Sequence, residues 1–146
     1  MANGGTYWWS LDDAGRIDGS SLLSTTGNLI FDPALTAGGF TLQLHSYDIN
    51  GNEAGLAPNF NPANPFTWTI ATAGLAIQTF NVANVAIDIT NFQLGQGLSG
   101  SQFGLLLDGT GKNLLLNFTP VPEPSTYALL ALGLGVVLLP ILRRRR

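Results

Sequence analysis

The sequence has no cysteine, and that excludes a disulfide framework, a thiol nucleophile and a thiolate metal site. It does not fix the compartment, since an oxidising one permits disulfides without requiring them. Basic side chains are nearly missing from residues 1–120, where Arg16 and Lys112 stand against every acidic residue except Glu123. The charge of that region is about −6, the wrong sign for a nucleic-acid footprint. Before residue 121 there is no stretch of helical periodicity long enough to form a helix. The stretch Met1-Ala2-Asn3-Gly4-Gly5-Thr6-Tyr7 has neither the basic n-region nor the apolar h-region of an export leader, so the true start is expected upstream or the sequence is the last segment of a longer polypeptide.

What residues 1–120 do contain is the composition of a sheet. Residues 6–11, 28–31, 40–49, 66–72, 80–89, 102–107 and 113–118 are rich in β-branched, aromatic and leucine side chains. Between them lie clusters of Gly, Asn, Pro and Asp, among them Asn50-Gly51-Asn52 and Gly95-Gln96-Gly97. Alternation is clearest in Phe40-Thr41-Leu42-Gln43-Leu44-His45 and Phe66-Thr67-Trp68-Thr69-Ile70. Residues 102–118 read as a hairpin turning at Asp108-Gly109-Thr110-Gly111. The expected fold class is all-β, a sandwich or the cap of a β-solenoid. One exported domain over residues 1–120 is followed by a distinct tail over residues 121–146.

Candidate chemistry in this region is sparse. His45, the lone histidine, lies on an alternating strand beside Gln43 and is expected at a solvated edge. Asp12 and Asp13 are adjacent, so on a strand they would point to opposite faces. Neither makes a nucleophile–base pair or two opposed carboxylates, so no catalytic residue and no enzyme is expected. Asp48-Ile49-Asn50-Gly51-Asn52-Glu53 places oxygen ligands at alternate positions, but it lacks the glycine placement and distant bidentate Glu of a calcium loop. It reads as an ordinary turn, and no metal site or cofactor is expected. Tyr7, Trp8, Trp9 and Trp68 form either a sugar-stacking platform or part of a β core. Thr67 and Thr69 form a single pair of the kind an ice-binding face repeats. Asn117-Phe118-Thr119 has the form of a glycosylation sequon.

The tail is built in three parts. Val121, Pro122, Glu123, Pro124, Ser125 and Thr126 form a stiff polar step in which the two prolines fix φ and keep Glu123 out of the helical region. Residues 127–142 are apolar and uncharged. With Ser125 and Thr126 they make about 18 residues, roughly 27 Å of helix, close to the thickness of bilayer hydrocarbon. A single transmembrane helix is expected, with Gly133, Gly135 and Pro140 making it marginal. Arg143, Arg144, Arg145 and Arg146 close the chain. Such a cluster stays on the cytoplasmic side, which puts residues 1–126 across the membrane.

These three parts, in this order at the C-terminus, resemble the PEP-CTERM sorting signal of Gram-negative bacteria. The resemblance implies that Val121–Thr126 is the sorting motif and that a membrane-embedded exosortase recognises it and removes the tail. It also implies a lipid bilayer as partner before processing, and the cell surface or extracellular space afterwards. The body resembles, more loosely, the C-terminal region of proteins built from autotransporter-associated β-strand repeats, on Tyr7-Trp8-Trp9-Ser10-Leu11, the stretch from Phe66 to Thr72, and that from Asn113 to Pro120. That resemblance implies the downstream end of a surface β-solenoid. Together with the make-up of residues 1–7, it favours the expectation that the sequence is the last segment of a longer polypeptide. The expected function is that of a non-enzymatic surface or extracellular-matrix protein. The alternative is an exported polysaccharide- or ice-binding module carrying the same tail.

Overall fold

A computed structural model of the chain describes residues 1–16 and 18–121. The described residues are all-β, with two single-turn 3₁₀ helices, Val82–Asn84 and Gly100–Gln102. Three strands make the first coil of the chain: β1 (Thr6–Leu11), β2 (Leu23–Thr25) and β3 (Leu29–Ile30). Three more, β4 (Phe40–Ser46), β5 (Phe66–Ala73) and β6 (Ile77–Gln78), lie on them in the same order. Each pair is parallel: Thr6 sits beside Thr41, Leu23 beside Ala71, and Leu29 beside Ile77. A third coil starts with β7 (Val85–Asn91), parallel to β4. It is then replaced by the hairpin of β8 (Phe103–Leu107) and β9 (Asn113–Phe118), with β9 antiparallel to β5.

The strand orders are β1-β4-β7, β2-β5-β9-β8 and β3-β6. Successive coils stacked in parallel are the solenoid form of the expected architecture. The sandwich form, two antiparallel sheets packed face to face, is corrected by this topology. The physical reason is burial. Each coil points alternate side chains inward, so stacking the coils lines up apolar ladders such as Trp9 beside Leu44, Leu42 beside Ile87, and Trp68 beside Leu116. Trp9, Leu44, Ile70, Leu116 and Phe118 are all but inaccessible to solvent. Coil corners approach closely: the Gly74 N–H donates to the Thr25 carbonyl (2.7 Å), and a Cβ at Gly74 would overlap the Thr26 carbonyl.

Some strand boundaries differ from those expected. Residues 47–49 leave β4 because Asp48 Oδ1 accepts the N–H groups of Asn50 (2.8 Å) and Asn52 (2.9 Å), closing a turn. Residues 80–84 precede β7 because the Asn81 side chain accepts from the Ala83 N–H (3.0 Å) and caps a 3₁₀ turn. The short strands β2 and β6 were not foreseen. The hairpin turn is as read, with Asp108 at its centre accepting from Thr110, Lys112 and Asn113.

Candidate functional site

The tail leaves the body from the inside of a sheet. β9 lies between β5 and β8, so both of its edges are paired. Its alternation is strict: Leu114, Leu116 and Phe118 are buried, while Asn113, Leu115 and Asn117 face outward. Phe118 is the last core residue, packed at 5.2 Å from Phe60 and 5.1 Å from Phe103 between ring centroids. One residue later the Thr119 N–H donates to the Gln102 carbonyl (2.8 Å), the last backbone bond of the body. Val121, the first residue of the sorting step, is 66 % exposed. Pro122, Glu123, Pro124, Ser125, Thr126, the apolar span 127–142 and Arg143–Arg146 lie outside the described residues. Among the described residues no helix is long and apolar enough to cross a membrane.

Residues 120–146 match the family model described as the PEP-CTERM protein-sorting motif. The tail carries that motif. No curated protein and no solved structure matches the chain, so the body's resemblance to β-strand repeat proteins finds no counterpart among them. The PEP-CTERM match begins at Pro120, directly after the Thr119 bond to Gln102. Fold and signal therefore meet without overlap. A PEP-CTERM motif is a membrane-anchored sorting signal recognised by an exosortase, and it leads to later extracellular location.

The other residues singled out in the sequence are scattered. His45 is not at a solvated edge; it is buried, 3 % exposed. The loop of residues 47–58 folds back over it, placing Glu53 Oε1 2.5 Å from Nδ1, and the Trp8 ring lies 4.8 Å from its own. Trp9 and Trp68 are core residues 5.4 Å apart between ring centroids. Tyr7 turns inward and its hydroxyl donates to the Ile70 carbonyl (2.9 Å). Trp8 alone of the four faces out, at 66 % exposure, so no shared stacking platform forms. Thr67 and Thr69 do project together from β5, but their β9 neighbours are Asn117 and Leu115, and the threonine array stops there. Asn117 sits in the middle of that sheet, not in a loop where a sequon would be glycosylated.

A groove of about 950 Å³, which the sequence did not announce, runs between the loops after β1 and β4, lined by Asp12, Asp13, Asp18, Asp48, Tyr47 and Ile49. Asp12 and Asp13 follow the end of β1 and so both reach it. Most of these carboxylates already hold their own loops. Asp13 accepts from Asn59 Nδ2 and the Gly15 N–H (both 2.8 Å), bonds that hold its carboxyl below the usual range. Asp18 is lowered by its pair with Arg16 (3.0 Å), and Asp48 by the Asn52 side chain (2.8 Å) and nearby N–H groups. These groups stay ionised through neutral pH and act as acceptors, not as proton donors. Among the described residues no three His, Asp or Glu side chains converge on one point.

Proposed function

We propose that the chain is an exported, non-enzymatic surface or extracellular-matrix protein, delivered as a β domain on a membrane-anchored tail and released by an exosortase. The supporting observation is the PEP-CTERM match over residues 120–146, joined to a body that ends at a buried Phe118 and exposes Val121 three residues later. In this reading the body occupies residues 1–120 and stands outside the cytoplasm. Residues 127–142 span the bilayer, and Arg143–Arg146 hold the orientation from the cytoplasmic side. Parallel stacking of β1, β4 and β7 supports reading the body as part of a surface β-solenoid.

The decisive residue is Glu123, the one acidic side chain of the tail. Glu123→Gln removes the charge and keeps the shape, and it should leave the tail uncleaved in cells that contain an exosortase. Pro122→Ala with Pro124→Ala should do the same by freeing the step to join the helix. The readout is the mass of the mature protein, because cleavage near Pro124 removes the span and all four arginines. An intact mass for the unmutated chain in such cells would reduce the tail to an ordinary anchor and end this reading. A second reading, a polysaccharide-binding module on the same tail, draws support from exposed Trp8 and the acidic groove. Binding on a glycan array that is lost with Trp8→Ala tests it. The single threonine pair gives the ice-binding version no such support.

A further inference from the structure

The strand edges at the ends of this fold are treated unequally. Along β1, Ser21 and Gly19 fold back onto the free edge: Ser10 N–H donates to Ser21 Oγ (2.8 Å), Ser21 N–H to the Ser10 carbonyl (2.9 Å), and Asp12 N–H to the Gly19 carbonyl (2.7 Å). Along β3, the Asp32 N–H is taken by the Met1 carbonyl (2.7 Å). On β7, the Asp88 carboxylate accepts the Thr90 N–H (2.9 Å) and puts a charge on the strand. The edge of β2 is three residues long. These are the usual ways of making an edge unfit for another strand.

β8 has none of them. Among the described residues it is the end strand of its sheet, and its other side pairs with no strand. The bonds Asp108 N–H to Asn113 carbonyl (3.0 Å) and Thr119 N–H to Gln102 carbonyl (2.8 Å) set the phase of its ladder with β9. Gly104 and Leu106 therefore direct their backbone groups to β9, and Phe103, Leu105 and Leu107 direct theirs away. Among the described residues only the Phe103 N–H on that side is used, by the Gly100 carbonyl. The sequence Phe103-Gly104-Leu105-Leu106-Leu107 holds no charge, no proline and no bulge.

We propose that two copies of the chain pair through β8, antiparallel about Leu105, and join their four-stranded sheets into one. The edge is self-complementary in that register. Leu105 bonds its own equivalent and Leu107 meets Phe103 of the second copy, giving about four N–H···O=C bonds without disturbing the Phe103 N–H. On the outer face Leu106 lies across from Gly104 of the second copy. Leu106 is 39 % exposed and Gly104 has nothing within 4 Å of where a Cβ would be, so each supplies what the other lacks. Asp108, the nearest charge, falls opposite Gln102 and meets no like charge. The same edge is used on both copies, so the pairing closes at a dimer and does not propagate. So short a strand makes a weak, concentration-dependent dimer.

Sedimentation of the full chain in detergent micelles, from about 1 μM to about 1 mM, should show monomer passing to dimer. Gly104→Asp with Leu106→Asp sets carboxylate against carboxylate at both outer pairs. It should weaken the dimer by about tenfold or more while leaving the far-UV spectrum unchanged, since both positions face solvent. The absence of cysteine allows a second measurement. Gly104→Cys with Leu106→Cys should cross-link two copies on oxidation in membranes, and Thr67→Cys with Thr69→Cys, outward on an interior strand, should not. Monomer at every concentration would leave the edge to a strand of some other protein and overturn the proposal. So would a dimer that survives the aspartate pair, which would assign association to the tail, or equal cross-linking by the two cysteine pairs. None of these outcomes depends on tail cleavage.

Discussion

Truncating β9 on its inner and outer faces tests the fold where it carries the tail. Leu116 is fully buried, across from Trp68 on β5 and Leu105 on β8. Leu116→Ala removes a side chain with core on both sides and little room for collapse, so the cost should be about 3 kcal/mol. For a domain of this size that is a fall in Tm of roughly 10–15 °C. Leu115 is only half-buried and pairs on the outer face with Thr69 and Leu106. Leu115→Ala should cost below about 1 kcal/mol, the worth of a cross-strand contact. Thermal melts followed by far-UV circular dichroism, on the two variants and the parent, measure the difference. A one-residue slip of β9 would turn every side chain over. Equal losses, or a larger loss for Leu115→Ala, would refute the register and with it the placement of Phe118 and Thr119 at the exit of the tail.

Acid should weaken the body in part through Asp108 in the hairpin turn. The Asp108 carboxyl is held well below its ordinary range, first by the Thr110 hydroxyl and then by Asn113 and backbone N–H groups. A carboxyl lowered in the fold contributes fully above its unfolded value, about 3.9, and that contribution is lost as pH falls below it. Tm should therefore drop less steeply between about pH 5 and pH 2 for Asp108→Asn than for the parent; parallel slopes would contradict this. Gly74→Ala should be strongly destabilising because its Cβ meets the Thr26 carbonyl of the coil beneath, whereas Gly109→Ala, with open space around it, should shift the melt by no more than about 0.5 kcal/mol. Replacing Arg143–Arg146 with serine should mix the two orientations of reporters fused before Thr6 and after the C-terminus, with an export leader supplied; unchanged single orientation would show that something other than the arginines sets it.

The parts of this structure that were legible in the sequence are those fixed by local chemistry. Asp108-Gly109-Thr110-Gly111 between two apolar runs can hardly be anything but a turn, and β8 and β9 flank it as read. β1, Thr6-Tyr7-Trp8-Trp9-Ser10-Leu11, is six residues rich in the aromatic side chains that favour strands, and it matches at both ends. By contrast β2 and β6 have three and two residues, too few to show a period of two. The coil repeat was hidden for a related reason. Residues 12–22 join β1 to β2, whereas residues 47–65 join β4 to β5, so equivalent strands fall at unequal spacings and no constant period appears. Burial of His45 could not be read from its strand, where it alternates outward with Gln43. It is imposed from outside, by Trp8 on the neighbouring strand and by Glu53 on the loop that crosses it.

The longer connection also bears on how the body meets a membrane. Residues 47–65 and 12–22 build the acidic groove at one end of the coils. The tail leaves β9 beside Phe66, since Phe118 pairs with Phe66, and Phe66 is the first residue after that connection. Residues 119–126 reach at most about 28 Å even when fully extended. In the proposed topology the domain is thus held within that distance of the headgroups, with its loop-bearing end on the side of the tail. In that topology the four arginines would lie on the far side and oppose any tendency of the acidic body to pull the span outward. The charge segregation in the sequence, acid before residue 121 and base after residue 142, acts on this account as one device with two ends.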